Sequence, residues 1–569
     1  MEGGPGRSIP RVVAALLLTV ACTGAPSPAS VRTGTPTPDV VRYRDVAEDV
    51  GISFHHGAFR WEVSADPGAM LGGGVCWLDY DEDGWVDLYA VNSYANAEAS
   101  RWANEGGLPA NALFHNVEGR FEDVSEASGA GLAMRGNGCV AADFDLDGHT
   151  DLYVTATDAS ELLWNRGDGT FERGAEAAGV QAFGWRAGAT VGDVNEDGWP
   201  DLFVSGYVDL NVPIEGATIG FPNTYAGVRD LLFLNEGRGD GDRVTFREVG
   251  MDAGLEVANF EYGLGAVFSD LDVDGDLDLY LANDSKPNRL YDNVPWPGGA
   301  EADPAGLGFR FEELAARAGV ADPNAGMGVA DGDFDGDARP DLFVTNARAQ
   351  VHAAYRGQVS ELVDPSFADV RDGLGVALGG STGWGVSWND LDLDTDLDLV
   401  LVNGGIPVRD LAADAEPVQA FGNLTAQGRV GLFEDLGTIV GLHDVGPLVA
   451  RGSAAADYDN DGDLDIAINS IGGPLVLLES SGAAGNWLEV AVDRFASGAL
   501  LEAVLPDGRT LVRESFAGSS YLSSEDPRFH LGLGTHGRVA DLTVRWPGGE
   551  ETVLEDVAAN QIVVVEAPG

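Results

Sequence analysis

One acidic nine-residue pattern recurs seven times along this chain, and few folds can accommodate it. Its first copy reads Asp79-Tyr-Asp81-Glu-Asp83-Gly84-Trp85-Val-Asp87. Acidic residues recur at positions 1, 3, 5 and 9, Gly usually stands at position 6, and an apolar β-type run such as Leu88-Tyr-Ala-Val91 follows. Oxygen ligands at alternating positions around a sharp turn, with a backbone carbonyl from position 7, suit Ca²⁺, which takes about six to eight oxygens. An EF-hand would need a Glu at position 12 and a flanking helix. Here the loop ends with Asp at position 9 and enters a strand.

The candidate ligands follow position by position. Loop one offers Asp79, Asp81, Asp83 and Asp87 with the Trp85 carbonyl, and loop two Asp143, Asp145, Asp147 and Asp151 with that of His149. Loop three offers Asp193, Asn195, Asp197 and Asp201 with Trp199; loop four, Asp270, Asp272, Asp274 and Asp278 with Asp276. Loop five offers Asp333, Asp335, Asp337 and Asp341 with Arg339, and loop six Asp390, Asp392, Asp394 and Asp398 with Asp396. Loop seven completes the series with Asp457, Asp459, Asp461 and Asp465, and Asp463 at position 7. Asn195 keeps an oxygen but loses a charge. Ala338 and Thr395 replace the position-6 Gly of loops five and six, where a Cβ resists positive φ, so these rank as the weakest sites. Loops one, two, four and seven rank as the strongest. The expectation is Ca²⁺ at up to seven sites; the alternative is a set of metal-free Asx turns. Mg²⁺ fits less well, because it keeps its waters and takes fewer protein ligands.

The loop starts are separated by 64, 50, 77, 63, 57 and 67 residues. Self-similarity at this period indicates a propeller or solenoid. Within one unit, a Gly-rich strand (136–142) leads into the loop and a second strand, Asp151-Leu-Tyr-Val-Thr155, leads out. A third, Glu161-Leu-Leu-Trp-Asn165, ends in an Asn turn, and a fourth begins Phe171-Glu-Arg and runs into Ala-Gly-Val180. Four short strands in seven units predict an all-β chain with a seven-bladed β-propeller over 41–482, the Gly-rich strands lining its crowded centre. Residues 485–568 alternate as β-strands between turns such as Pro506-Asp-Gly508 and Pro547-Gly-Gly549, which predicts a small β-sandwich or barrel.

The repeats resemble FG-GAP/VCBS repeats of the integrin-α propeller type, through segments such as Asp270-Leu-Asp-Val-Asp-Gly-Asp-Leu-Asp278 and Asp457-Tyr-Asp-Asn-Asp-Gly-Asp-Leu-Asp465. The C-terminal stretch resembles an ASPIC/UnbV domain: Asn486-Trp487-Leu488, Phe529-His-Leu-Gly-Leu-Gly534, Val544-Arg-Trp-Pro-Gly-Gly549 and Asn560-Gln561. Beyond its leader the chain is therefore similar to the cartilage acidic protein family. That resemblance implies metal loops on one propeller face, acting as braces, and partner binding on the other.

Ninety-two acidic residues against 33 basic ones leave a net charge of −59. The seven loops hold 32 of the 92, so seven Ca²⁺ would raise the net charge by 14 to −45. The surface stays acidic, and without divalent cation the loops repel themselves, which couples metal binding to folding. Nucleic acid is excluded as a partner, since a phosphate backbone demands basic stripes. Binding to anionic lipid by charge fails for the same reason.

Residues 1–22 read as a secretory leader. Arg7 and Arg11 precede the apolar run 12–21, which is too short to cross a bilayer. Cys22 closes a lipobox-like end, with Thr19 where Leu is usual, so lipidation at Cys22 and plain secretion are both open. Residues 23–40 form a Thr/Ser/Pro/Gly-rich tether. No other segment can span a membrane, so any membrane contact runs through the N-terminal anchor. Cys76 and Cys139 lie in the inner strands of the first two units, out of phase with each other. Two buried thiols are the first expectation, a disulfide between neighbouring blades the second, and metal or catalytic use the third.

No hydrolase elbow, Walker loop or zinc-protease motif occurs. His55-His56 precede the first blade, where packing at ring closure and a role at the axis are both open. His530 reads as structural. The insertion 208–229 is expected to cover one mouth of the channel, with 404–428 doing the same after blade six. Trp185, Trp384 and Trp388 read either as core or as a stacking platform. The functional expectation is an exported, monomeric Ca²⁺-loaded propeller that binds a protein or glycan at the envelope. The alternative is an enzyme, or an accessory to one, that uses the channel on a small metabolite. No catalytic residue is assigned.

Overall fold

The computed structural model describes residues 41–239, 244–255, 261–360 and 362–568. The leader, Cys22 and the tether lie outside them. Among the described residues before 480, seven four-stranded antiparallel sheets form, with one two-stranded hairpin beside them. Their innermost strands are Val75–Leu78, Gly136–Ala142, Arg186–Gly192, Gly263–Ser269, Gly326–Gly332, Gly383–Asn389 and Ala450–Ala456. Each packs beside the next in chain order, and the last packs beside the first, so the strands close a ring. The N-terminal strand Arg44–Asp45 pairs with Val476–Glu479 as the outer strand of the seventh sheet. Both ends of the propeller thus share one blade, and the ring cannot open without breaking that pairing.

Every second strand begins at the position-9 Asp of its loop: Asp87, Asp151, Asp201, Asp278, Asp341, Asp398 and Asp465. The acidic loop is the hairpin between the two inner strands of its blade, so all seven loops lie at one end of the ring. Apolar side chains from adjacent sheets interleave between blades; Val140, Tyr153 and Leu162 of one pack with Val191, Leu202 and Phe233 of the next.

The fourth strand is shorter than its sequence suggests. Phe171–Arg173 ends at once, and Ala175–Ala178 forms a helical turn closed by Gly179 at φ 84°. Similar turns occupy Ser125–Ser128 and Ala315–Ala318. Ala and Glu favour helix, and the left-handed Gly then turns the chain back toward the axis.

The C-terminal region is a two-sheet sandwich. Asn486–Val492 pairs antiparallel with Phe529–Gly534 and parallel with Ile562–Val565. Leu500–Val504 lies between Thr510–Glu514 and Arg538–Arg545, which pairs with Glu551–Ala558. Leu488, Val490, Leu501, Leu531, Leu542 and Trp546 fill the space between the sheets.

Cys76 and Cys139 form a disulfide with Cα atoms 6.2 Å apart. This corrects the expectation of two free buried thiols. Phase within one sheet does not govern the pair, because the bond runs between inner strands of adjacent blades, and a bulge just before Cys139 shifts its register. Among the described residues no helix is long and apolar enough to cross a membrane.

Candidate functional site

The seven loops share one conformation. The position-1 carboxylate accepts from the backbone N–H groups of positions 5 and 6 in every copy, at 2.7–3.2 Å. The position-5 carboxylate accepts from the position-7 N–H, as Asp83 does from Trp85 at 2.9 Å. The turn keeps this form in loops five and six, with Ala338 at φ 65° and Thr395 at φ 94°. Position 4 also takes positive φ, between 52° and 66° at Glu82, Leu146, Glu196, Val273, Leu393 and Asn460. Loop five places its Gly336 there instead. Left-handed residues with a Cβ cost roughly 1–3 kcal/mol each and persist where the surroundings over-determine them.

Position 9 anchors the loop to its blade. These aspartates are at most 2% exposed. One oxygen accepts from the position-2 N–H, as Asp278 does from Leu271 at 3.1 Å. The other accepts from the end of the third strand, as from Asn293 N–H at 2.8 Å. That Asn then spans to the preceding blade: Asn293 Nδ2 donates to Val194 O, Asn165 to Tyr80 O, Asn235 to Phe144 O and Asn423 to Phe334 O. Asn116 does the same to Tyr458 O, joining blade one to blade seven. The bridging role of these asparagines escaped the sequence reading, although the Asn turn itself was visible.

Carboxylates at positions 1, 3 and 9 converge: Asp79 with Asp81 and Asp87, Asp143 with Asp145 and Asp151, and Asp333 with Asp335 and Asp341 each bring oxygens within 4.8 Å of one another. Asp270, Asp272 and Asp274 converge likewise. Burial pushes Asp79, Asp143 and Asp193 up to about 6, and Asp87 and Asp341 up to about 9. Asp145 Oδ1, Asp335 Oδ1 and Asp459 Oδ1, all at position 3, are buried without a hydrogen-bond partner. Hydrogen-bonded Asx turns account for positions 1, 5 and 9, and Arg238 lies 3.7 Å from Asp145 Oδ1, but Asp335 Oδ1 and Asp459 Oδ1 are left unexplained. A hard cation among them would account for all four positions.

The other end of the site is set by the C-terminal domain, which sits on the loop face. Arg528 donates to Asp457 O and to Asn460 Oδ1, both at 2.7 Å, and His530 Nε2 to Gly462 O at 2.9 Å. Arg509 reaches Thr395 Oγ1 at 2.8 Å, and Glu514 Oε1 accepts from Asp270 N–H at 3.3 Å. A Cβ on Gly532 would lie 2.0 Å from Asp390 Oδ2. His530 is therefore a docking residue, held neutral by burial with its pKa lowered to about 4.

From this domain the loop 515–525 threads the propeller axis. Ala517 O accepts from Val191 N–H and Leu522 O from Cys139 N–H, while Ser520 exchanges both backbone bonds with Val329. Ser524 O accepts from Trp77 N–H, and Ser520 Oγ accepts from Val386 N–H. Tyr521 reaches the far end, donates to Leu71 O at 2.9 Å and packs edge-on against Trp384. The channel is thus filled by the chain itself, which corrects the alternative reading of a free channel for a metabolite.

The far face is built by connections between second and third strands. The insertion forms a hairpin, Val208–Pro213 with Tyr225–Gly227. Phe221 packs on Trp185 and Tyr207. Trp185 and Trp384 share one buried cluster with Tyr207, Tyr262 and Tyr521, and Trp388 belongs to another. The first two are buried at this far end, with Arg451 4.0 Å over the Trp384 ring, whereas Trp388 lies toward the loop face. His56 is fully buried, accepts from Ala58 N–H and has its pKa lowered to about 3 by burial and then by Arg451, so it packs where the ring closes.

A ring of sheets carrying acidic loops, with a β-sandwich docked on the loops, defines an acidic-loop propeller fused to a tail domain. The FG-GAP-like repeat model matches residues 79–154 and 143–204, and the ASPIC and UnbV model matches 490–569. The chain is 26% identical over 334 residues to cartilage acidic protein 1 of Mus musculus, covering 56% of this chain and 46% of that protein. It is likewise 26% identical to the Homo sapiens protein, over 56% of this chain and 45% of that one. The matched region thus spans less than half the length of these relatives. FG-GAP-like repeats followed by an ASPIC and UnbV domain, together with this similarity to cartilage acidic protein 1, support a cartilage-acidic-protein-1-like family. Solved structures that resemble it include an Agrocybe aegerita lectin specific for non-reducing terminal N-acetylglucosamine (14% identity, 73% of this chain, 91% of that one, TM-score 0.34). The V. cholerae biofilm matrix protein Bap1 also does (12%, 88% of this chain and 62% of that one, TM-score 0.29). At these scores the blade architecture rests on the strand topology.

Proposed function

We propose that this chain is an exported, Ca²⁺-braced β-propeller that binds a protein or glycan partner at the cell envelope through the face remote from its metal loops. The observation that carries this reading is the occupancy of the loop face by the chain's own C-terminal domain. Partner binding is left to the far face, where the blade-three connections expose Phe183 (64%), Ile219 (66%) and Val212 (49%). Exposed apolar groups gathered on one face mark interaction sites. The position-3 oxygens left without partners at Asp335 and Asp459 support Ca²⁺ as the brace. The disulfide fits an oxidising compartment, and the leader-like N-terminus with Cys22 supports export with a lipid anchor.

The test is a binding screen of the full chain in Ca²⁺ against a glycan array and a panel of envelope and matrix proteins. A hit should weaken at least tenfold in the Phe183→Ser, Ile219→Asp double variant while the melting temperature stays within a few degrees of the parent. A partner that binds the double variant undiminished, or a chain that binds nothing in the screen, overturns the reading.

A further inference from the structure

Between the C-terminal domain and the loop ends of blades four to six lies a cavity of about 160 Å³. That is several times the roughly 30 Å³ share of one water. Its rim reaches solvent beside Val273, which is 46% exposed. Its walls collect polar atoms that the fold leaves without partners, in two complementary kinds.

The unmet acceptors come first. Asp331 is 8% exposed; its Oδ2 accepts from Ser269 Oγ at 2.6 Å, but its Oδ1 has no partner. Glu525 Oε1 is buried and has none either, and His530 Nδ1 and the Oε1 of Glu489, whose Oε2 pairs with Arg528 at 3.0 Å, are unmet as well. The unmet donors are Trp388 Nε1 and Arg513 Nη2, the Nη1 of that arginine being engaged by Val512 O at 2.9 Å. Asp331, Glu525, Trp388 and Arg513 line the same cavity, beside the apolar surface of Phe516 and Phe529.

A buried donor or acceptor left unmade costs about 1–3 kcal/mol, and more when charged. A bare metal ion would satisfy the two carboxylates but stand against the Arg513 guanidinium. An anion would satisfy Arg513 and Trp388 but face Asp331, Glu514 and Glu525. A molecule with an ammonium group at one end and a carboxylate at the other answers both sets. We propose that this cavity binds a small zwitterionic amine, with an α-amino acid as the smallest example. Its ammonium group lies against Asp331 and Glu525, its carboxylate against Arg513 and Trp388, and a short apolar side chain against Phe516 and Phe529. The site goes beyond the adhesion reading and does not depend on it, since the far face takes no part.

The experiment is calorimetric titration, with thermal unfolding in parallel, of the full chain in saturating Ca²⁺. The probes are the common α-amino acids, with putrescine as a cation-only and acetate as an anion-only control. Saturable binding of one molecule per chain is expected for at least one small apolar amino acid, with the controls at least tenfold weaker. Glu525→Gln and Asp331→Asn should each weaken that binding tenfold or more without lowering the ligand-free melting temperature. Trp388→Phe removes one donor while keeping the ring and should weaken it several-fold. If no amino acid binds, if putrescine or acetate binds as well as the best amino acid, or if all three variants bind like the parent, the proposal falls. Loss of partner binding in the far-face variant would leave these results unchanged, so the two readings fail separately.

Discussion

Gly74, Gly138, Gly188, Gly265, Gly328, Gly385 and Gly452 each stand five residues before the first Asp of a loop. A Cβ would lie 1.9 Å from Leu522 O at Gly74, 2.1 Å from Trp384 O at Gly328 and 2.5 Å from Gly73 O at Gly452. These are close approaches of backbone to backbone at the axis, so no rotamer change relieves them. Gly148 differs: its φ of 94° is left-handed, but nothing lies within 4 Å of its Cβ position. Gly328→Ala should therefore cost at least the roughly 1–3 kcal/mol of overpacking, while Gly148→Ala costs only the φ penalty of about 1 kcal/mol. Urea unfolding of the two variants in Ca²⁺ checks the order, and equal losses would mean that the close approach at the axis costs no more than a strained φ. Glu525 supplies a pH dependence. Burial pushes its carboxyl up to about 8, above the ordinary 4.5. A raised carboxyl contributes stability that is fully present below the ordinary value and is lost as pH rises through the folded value. Parent and Glu525→Gln should accordingly melt most alike near pH 4, with the variant's advantage growing as pH rises above 4.5 and levelling off above about 8. A constant difference across that range would place the charge elsewhere.

Among the elements, the links between blades matter as much as the blades. The Cys76–Cys139 bond closes a loop of 63 residues. Chain-entropy arguments value such a closure at about 4 kcal/mol, so the double Cys→Ala variant should lose up to that amount in denaturant unfolding at fixed Ca²⁺. Loss of a few tenths only would show that the ring constrains the unfolded chain little. Tyr521, wholly buried at the tip of the axial loop, touches both Trp384 and Leu71 O. Tyr521→Ala should cost about 3–5 kcal/mol, by analogy with other buried aromatics, and should speed proteolysis of 515–525. Undiminished protease resistance would show that the backbone bonds of Ser520 and Leu522 hold the loop without its anchor. The loop's role was not legible in the sequence. Ser-Phe-Ala-Gly-Ser-Ser-Tyr-Leu-Ser-Ser reads as a surface turn, because its hydrogen-bond partners lie hundreds of residues away on strands that only closure brings together.

For the whole molecule the controlling quantity is charge. A net −59, with 32 acidic residues gathered into seven small loops, makes the compact state depend on counter-ions. The full chain should bind five to seven Ca²⁺ by native mass measurement, and EDTA should lower its melting temperature by ten degrees or more. No shift with EDTA would leave the Asx turns as the loops' whole purpose. The C-terminal domain covers loop six, where Asp390 is 1% exposed, and loop seven, where Asp457 is fully buried. Ca²⁺ in those two should exchange more slowly than in loops one and three.

Spacing and residue type were enough to place the loops, the strands that follow them and the sandwich, because those features depend on local periodicity and on turns a few residues long. Local sequence also held the Asn turns and the axial glycines, without disclosing their purpose. The disulfide, the filled axis, the blade-to-blade asparagines and the cavity at Asp331, Trp388, Arg513 and Glu525 were decided only when the ring closed and the last domain docked on it. Each joins groups from distant parts of the chain. Sequence periodicity reports which way a side chain faces within its own strand, whereas the partner it meets is fixed by which strands the closed ring sets side by side.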